Sequence, residues 1–400
     1  MKNVIALVLA GGRVGQYGVL TRNRAKGALT VAGHYRIVDF ALSCLRRAHI
    51  DRIGLIIQYL PASLIEHVGV GIPWDLNGYG RVLKIMPPFV GIEKTEWYKG
   101  TADALYQNMN FVDDFDPDEI VVMSGEHVVN LDFADVLNTH RDQKAEITFV
   151  VKEMPRHLCS QRFGYVTVND AGRIESFAEK PDTPPSTLVS TGIYVFNAPV
   201  LRALLEQHAA SPDQNLAKHI LEDRAASMRC YAYQMPGEWE YMETVADFFE
   251  LQMRFLQPES FERLQRMGVV TNLEFRGVGF APAAKIAAGA TVAGAMISPN
   301  CRIGGTVERS ILSPGVVVME GAEVRDSIIM HDCVVEAGAV VNRTIADRDV
   351  VFGAGSRVGS AGEGSPRPED LVLVGKAARI GAGAVLEPGT QVQPRAEVRA

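Results

Sequence analysis

Hydrophobic positions follow two rhythms along this 400-residue chain. Over the first 240 or so residues, short apolar runs alternate with longer amphipathic stretches. Val4–Leu9, Arg52–Ile57, Ile120–Ser124 and Ile147–Val151 are runs of five or six mostly apolar residues and predict buried strands. Phe40–Ala48, Ala102–Val112 and Phe133–His140 carry apolar residues at helical spacing and predict helices between them. Strands alternating with helices predict an α/β fold, Rossmann-like, with a mostly parallel sheet and helices on both faces. Ligands of such sheets bind beyond the carboxyl ends of the strands. That rule points to the loops after Leu9, after Ser124 and near Lys180. An amphipathic stretch over Val245–Leu256 and Phe261–Met267, broken by Pro258, predicts a helical connection.

Beyond about residue 280 the rhythm changes to six. Val374, Ile380, Leu386, Val392 and Val398 are evenly spaced, and shorter series precede them: Ile286/Val292, Ile297/Ile303, Leu312/Val318/Val324, Ile329/Val335/Val341 and Phe352/Val358. A period of six fits neither a helix nor a flat alternating strand. It fits short parallel strands that turn a corner after each inward aliphatic residue, a left-handed parallel β-helix of hexapeptide repeats. A valine-rich sandwich is the competing reading, and five consecutive hits at one spacing weigh against it. The frame slips between series, so a loop interrupts the coils, most naturally over Ser360–Asp370. The expected organisation is a sheet domain over 1–245, a helical linker over 246–280 and the β-helix over 281–400.

Composition sharpens this division. The last 120 residues hold one aromatic, Phe352, as a narrow prism requires, and the first 280 hold the other 29. Forty basic against forty-seven acidic residues give a net charge of −7, which disfavours a nucleic-acid partner. No apolar run approaches the ~20 residues of a membrane helix, and Val4–Ala10 is too short for a signal-peptide core. Neither a membrane partner nor a targeting segment is expected. Five scattered cysteines (Cys44, Cys159, Cys230, Cys301, Cys333) show no C-x-x-C spacing and suit a reducing cytoplasm.

The first strand runs into Ala10-Gly11-Gly12-Arg13-Val14-Gly15-Gln16-Tyr17-Gly18. This loop lacks the Gly-Lys-Ser/Thr ending of a P-loop and the G-x-G-x-x-G spacing of a dinucleotide fold. Its glycines let backbone N–H groups approach a phosphate or base, and on these residues alone a plain turn is an equal reading. Further on come Arg24-Ala25-Lys26, the run Gly33-His34-Tyr35-Arg36-Ile37-Val38-Asp39-Phe40, and Trp97-Tyr98-Lys99-Gly100-Thr101-Ala102-Asp103-Ala104. Ser124-Gly125-Glu126-His127, Phe177-Ala178-Glu179-Lys180-Pro181 and Thr191-Gly192-Ile193-Tyr194-Val195-Phe196 follow. This series, in this order and ahead of a hexapeptide tail, resembles the ADP-glucose pyrophosphorylase (glucose-1-phosphate adenylyltransferase) family over nearly the whole chain.

The resemblance implies a nucleotidyltransferase domain and a reaction in which ATP and glucose 1-phosphate give ADP-glucose and pyrophosphate, with Mg²⁺ as cofactor, in glycogen synthesis. It implies nucleotide contacts at Leu9, Ala10, Gly11, Gly12, Gln107 and Gly125, and a phosphate contact at Lys26, where the family usually continues with proline and Gly27 stands instead. Sugar-phosphate contacts are implied at Tyr98, Glu179, Lys180 and Gly192. Thr101 or Asp103 reads equally well as a helix cap, and Gln107 and His127 as satisfied polar residues near the core. Effector contacts are implied around His34 and Arg36, although the family carries lysine at position 34 and histidine is only partly charged near neutral pH. Arg46 and Arg47 are further candidate cations or simply a solvated helix face.

Three departures bear on catalysis. Gln16 stands where the family has the arginine that meets the triphosphate, and an amide supplies neither charge nor a bidentate fork. Glu126 replaces a metal-binding aspartate, one methylene longer, and octahedral Mg²⁺ tolerates little displacement. Tyr241, in Trp239-Glu240-Tyr241-Met242-Glu243-Thr244, falls at the second metal aspartate, and a phenol is neutral at pH 7. Glu240 or Glu243 would have to substitute. The expectation is a protein that binds nucleotide and sugar phosphate with weakened or lost catalysis. It would serve as a regulatory or structural subunit, in a homotetramer or a hetero-oligomer with an active paralogue. An active adenylyltransferase with a rearranged metal site is the alternative. Acyl transfer at the β-helix, with His331 as base, would leave the N-terminal motifs unexplained.

Overall fold

The first predicted strand, β1 (Val4–Leu9), lies near the middle of a ten-stranded sheet in the computed structural model, which describes residues 3–12, 15–88, 97–212, 214–274, 279–362 and 367–400. Contacts divide the chain into a sheet unit, 1–12, 40–61 and 68–239, and a coil unit, 13–39, 62–67 and 240–400. No helix among the described residues is long and apolar enough to cross a membrane.

In the sheet unit, β2 (Arg52–Ile56), β3 (Arg81–Met86) and β4 (Glu119–Ser124) run parallel to β1 in the order β4-β1-β2-β3. The other half is largely antiparallel. It comprises β5 (Ile147–Glu153), β6 (Gly164–Val168), β7 (Ile174–Glu179), β8 (Leu188–Asn197) and β9 (Cys230–Gln234). β8 pairs antiparallel with β4, β5 and β6, β6 pairs antiparallel with β7, and β9 pairs parallel with β5. The core on one face gathers Ile5, Leu7, Phe111, Ile120, Phe149 and Phe196, all fully buried.

Helix α1 (Ile37–Arg47) begins ahead of the predicted Phe40 because the Asp39 carboxylate accepts the Arg36 N–H at 2.7 Å and so caps the first turn. The helix predicted over Ala102–Val112 is two, α2 (Thr101–Gln107) and α3 (Met109–Phe115). Asn108 divides them. Its side-chain amide donates to Ala104 O at 2.8 Å and to Tyr98 Oη at 2.9 Å, and such local bonding competes with the helical ladder. Asp132 caps α4 (Phe133–Asp142) through the Ala134 N–H. In the coil unit, Thr244 and Asp247 close a capping box on α5 (Val245–Arg254), and Pro258, read as a breaker, opens α6 (Pro258–Arg266) at its first position.

The tail is a β-helix of three parallel sheets, with seven, six and six strands. Ile286, Ile303, Val318, Val335, Phe352, Ile380 and Val398 stack in register along one sheet. Successive stacked residues lie 15 to 18 positions apart, except between Phe352 and Ile380, where the step is 28. Shortened coils explain the slipping frame, and the long step falls where the loop over Ser360–Asp370 was expected, part of which (363–366) lies outside the described residues. Phe352, fully buried, fills the prism between Val335 and Ile380. One corner carries a hydroxyl ladder. Ser310 Oγ accepts the Ser327 N–H and Ser327 Oγ accepts the Thr344 N–H, both at 3.1 Å, while each hydroxyl donates to the carbonyl two residues back.

Candidate functional site

At the carboxyl end of β1, Leu9 pairs with Ile56 and Ser124, and the ladder continues outward as Ala10 N–H donates to Ile56 O and Gly125 N–H to Leu9 O. The expected nucleotide residues Leu9, Ala10, Gly11, Gly12 and Gly125 therefore sit together, where open α/β sheets bind ligands. Two glycines are required here by space. A Cβ on Gly11 would lie 2.5 Å from Gln58 N, and one on Gly125 would lie 2.9 Å from Val8 Cγ1. The Glu126 N–H donates to Ser124 Oγ at 3.1 Å, and its carboxylate bends back so that Oε1 accepts the Gly12 N–H at 3.3 Å.

Helix α2 presents Gln107. Its amide group donates to Asp103 Oδ2 at 2.9 Å, and Asp103 also accepts the Lys99 N–H at 2.8 Å, which ties the chain entering the helix to its first turn. Gln107 Oε1 is buried with no hydrogen-bond partner among the described residues, an acceptor suited to an N–H donor such as a base edge. Tyr98 lies in the core, its hydroxyl shared between Met86 O and the Asn108 amide. Burial raises its pKa.

The sugar-side residues converge from β6, β7 and β8. A Cβ on Gly164 would lie 2.5 Å from Glu179 Oε2 and 2.7 Å from the Phe177 ring, so only glycine lets Glu179 cross β6. Burial raises the Glu179 pKa, opposed by Lys180 and helped by Glu222. Burial, and next the Glu179 charge, push the Tyr194 phenol up, and its hydroxyl meets Ser190 Oγ at 3.2 Å. Lys180 takes a left-handed conformation (φ 52) with its N–H on Phe163 O. Gly192 (φ 72) sits at the irregularity of β8 between Ser190 and Ile193. A Cβ there would meet only His127 Cε1 at 3.9 Å, so backbone conformation, not crowding, demands glycine. Trp239 Nε1–H donates to His127 Nδ1 at 3.3 Å and orients that ring.

The coil unit holds Gln16, Lys26 and Tyr241. Gln16 is exposed. Lys26 is only 5% exposed, with Nζ 5.5 Å from the Tyr17 ring centroid and 5.6 Å from that of Tyr241, within cation–π range. Tyr17 is held by a bond from its hydroxyl to Met242 O and an edge contact with Phe248. Of the acids flanking Tyr241, Glu240 is engaged by Arg254 at 2.8 Å. Among the described residues no group of three or more His, Cys, Asp and Glu side chains is placed to hold a metal ion. In the sheet unit the Glu126 carboxylate is bent onto a backbone amide, and in the coil unit a phenol stands where the family pattern has its second metal aspartate, so neither position by itself fits that pattern's Mg²⁺ ligand.

The effector candidates lead to residues that local spacing did not single out. Arg36 is buried and its hydroxyl partner is Thr30. Burial first, and then Arg24 and Arg348, push its pKa down to about 9, against Asp39 and Asp347. Arg24 pairs with the buried Asp347. Lys376 is lowered by burial and by Arg348. A 430 Å³ pocket lined by Arg22, Lys376 and Arg395 lies in this same unit. The His34 ring lies tilted against that of Tyr35 with centroids 4.2 Å apart, and burial lowers its pKa. Arg348 and Lys376 stand over 300 residues from Arg24, so no motif joins them; Arg24 was visible in its run but carried no distinguishing spacing. Arg46 and Arg47 instead line a 760 Å³ cleft of mixed charge in the sheet unit, where Arg47 donates to Asn130 Oδ1.

Comparison with known proteins follows this geometry. The nucleotidyl transferase family profile matches residues 5–258, and a GlmU-like C-terminal hexapeptide profile matches residues 281–365. The glucose-1-phosphate adenylyltransferase of Desulfitobacterium hafniense (strain DSM 10664 / DCB-2) is 35% identical over 399 residues, 98% of each chain. That of Clostridioides difficile (strain 630) is 35% identical over 334 residues, 81% of this chain and 84% of the relative. That of Acetivibrio thermocellus is 35% identical over 335 residues, 81% and 76% of the two chains.

Proposed function

The chain belongs to the glucose-1-phosphate adenylyltransferase family, and from that premise we propose that it binds a nucleotide and a sugar phosphate, transfers adenylyl groups slowly or not at all, and acts as a regulatory or structural subunit beside an active relative. In the family's reaction a phosphate oxygen of glucose 1-phosphate attacks the α-phosphorus of ATP in line and pyrophosphate leaves. The protein's part is to position two anions and neutralise charge that grows on the transferring group.

The observation that carries the reading is a one-sided change. Glu179 packed across Gly164, the left-handed Gly192 and the buried Tyr194 support a retained sugar side, while the residues for charge neutralisation are an uncharged Gln16, a Glu126 folded onto Gly12 and a phenol, Tyr241. Losing one preorganised charge-stabilising group costs about 10²–10³ in rate. Such losses do not add in full, yet part of the sum leaves a poor catalyst. Binding suffers less, because Lys26 and Lys180 remain. The open Gln107 acceptor supports a base with an N–H donor at its edge. The cluster of Arg24, Arg36, Arg348 and Lys376 supports a phosphorylated effector. Open coil ends of the β-helix support a homotetramer or a hetero-oligomer with an active paralogue.

The test is an assay of pyrophosphate release with ATP, glucose 1-phosphate and Mg²⁺, run on the purified protein and then on its mixture with an active relative. The expected outcome is negligible turnover alone and an altered effector response of the mixture. Turnover of several per second by the protein alone would end the reading.

A further inference from the structure

We propose that Glu126 is the glycine loop's own anion: its carboxylate occupies the Gly12 amide at which a nucleotide phosphate would bind, and so opposes nucleotide binding. The inference rests on the nucleotide-binding reading of the loop given above.

Four observations, all within the sheet unit, lead to it. Gly125 is packed against Val8 and Ala10 with no room for a side chain, so the point at which residue 126 leaves the strand end is fixed. The Glu126 N–H is tied to Ser124 Oγ. From that anchored start Oε1 reaches the Gly12 N–H at 3.3 Å. A Cβ on Gly12 would lie 3.5 Å from Oε2 and 3.6 Å from Oε1, so the carboxylate lies across the bare face of the glycine. Backbone N–H groups of a glycine loop at a strand end form a cradle for anions. A carboxylate already in the cradle satisfies the donor and repels a second anion. The contact with Gly12 is made through the full length of the glutamate side chain, one methylene longer than aspartate. Glu126 is thus a specificity-determining residue: a phosphate must displace it to reach Gly12, and a divalent ion bridged by Glu126 is not what recruits the nucleotide.

The experiment is calorimetric titration of ATP into the full-length protein, first in EDTA and then in Mg²⁺. It compares the wild type with Glu126→Gln, which keeps the acceptor and loses the charge, and with Glu126→Ala, which loses both. In EDTA both variants are expected to bind ATP more tightly than the wild type, Glu126→Ala by about tenfold, which is ~1.4 kcal/mol. Mg²⁺ is expected to change the wild-type affinity by less than about threefold. If both variants weaken MgATP binding tenfold while metal-free binding stays put, Glu126 is a metal ligand and the proposal is overturned. Affinities equal to wild type under both conditions overturn it as well, and the nucleotide reading survives. Absence of ATP binding by all three proteins, each shown folded by its melting transition, overturns the nucleotide reading and this inference with it.

Discussion

Two places in this protein present donors that could meet negative charge, and they differ in what already sits there. At the glycine loop the donor is a backbone amide, and a carboxylate of the same unit, Glu126, rests on it. In the coil unit the donors are Arg24, Arg36, Arg348 and Lys376. The buried Asp347 pairs with Arg24, and burial and mutual repulsion still hold Arg36 and Lys376 below their ordinary pKa values. One cradle is filled from within, and the other keeps an excess of positive charge. Such an excess is costly in a folded protein unless an anion arrives.

The largest effect should come from removing Asp347 from the second cradle, which leaves Asp39 as its other buried acid. Asp347→Ala leaves the Arg24 guanidinium without that partner and should destabilise the fold by about 3 kcal/mol, seen as a lower melting temperature in low salt. Millimolar sulfate or inorganic phosphate should recover most of the loss. Failure of either ion to do so would show that the cluster is no anion receptor, and the comparison would collapse. Next in size is the attempt to convert the first cradle. Glu126→Asp with Tyr241→Asp restores the acidic pair of the family pattern and should raise Mg²⁺-dependent pyrophosphate release by about 10²; an unchanged rate would mean that something other than these two positions limits the chemistry.

A smaller change separates the two sites. Lys376→Ala should weaken inorganic phosphate binding about tenfold, or ~1.4 kcal/mol, and flatten its dependence on salt, while ATP affinity stays at the wild-type value; a matching loss of ATP affinity would merge the two cradles into one. The smallest effect belongs to Glu179. Its pKa is raised in the folded state, so the folded protein holds the proton more tightly than the unfolded chain does, and stability falls as pH rises from about 4.5 through the folded value. Glu179→Gln should therefore melt slightly higher than wild type at pH 8 and at the same temperature near pH 4. A variant that melted lower at pH 8 would mean that the charged form is stabilised by its neighbours.

Much of the fold was legible because its signals are local. β1 ends where the apolar run ends, and the stacked aliphatics of the β-helix are those of the six-residue series. The break at Asn108 was not legible, because it depends on the Tyr98 hydroxyl and the Ala104 carbonyl meeting one amide. Coil length was partly legible. A period of six implies eighteen residues to a turn, and the shorter coils showed only as slips in the frame. Of the candidate site, the glycine loop and the Glu179 region could be found by motif. What Glu126 touches could not be read, since its contact with the Gly12 amide depends on how Gly125 is wedged. The cationic cluster was hidden further still, because its members are joined only by the winding of the coils beside residues 13–39.

The hydroxyl ladder at the corner of the coils sets how this tail can change its length. Each rung, Ser310 to Ser327 to Thr344, spans 17 residues, and each amide leans on the hydroxyl of the coil before it. Loss of the Ser327 hydroxyl would therefore be felt one storey up, at the Thr344 amide, as well as at the Arg325 carbonyl in its own coil. Gain or loss of a complete storey would leave every rung seated, whereas a change of two or three residues would strand one. Along this corner inheritance can add or remove whole turns far more readily than fractions of one.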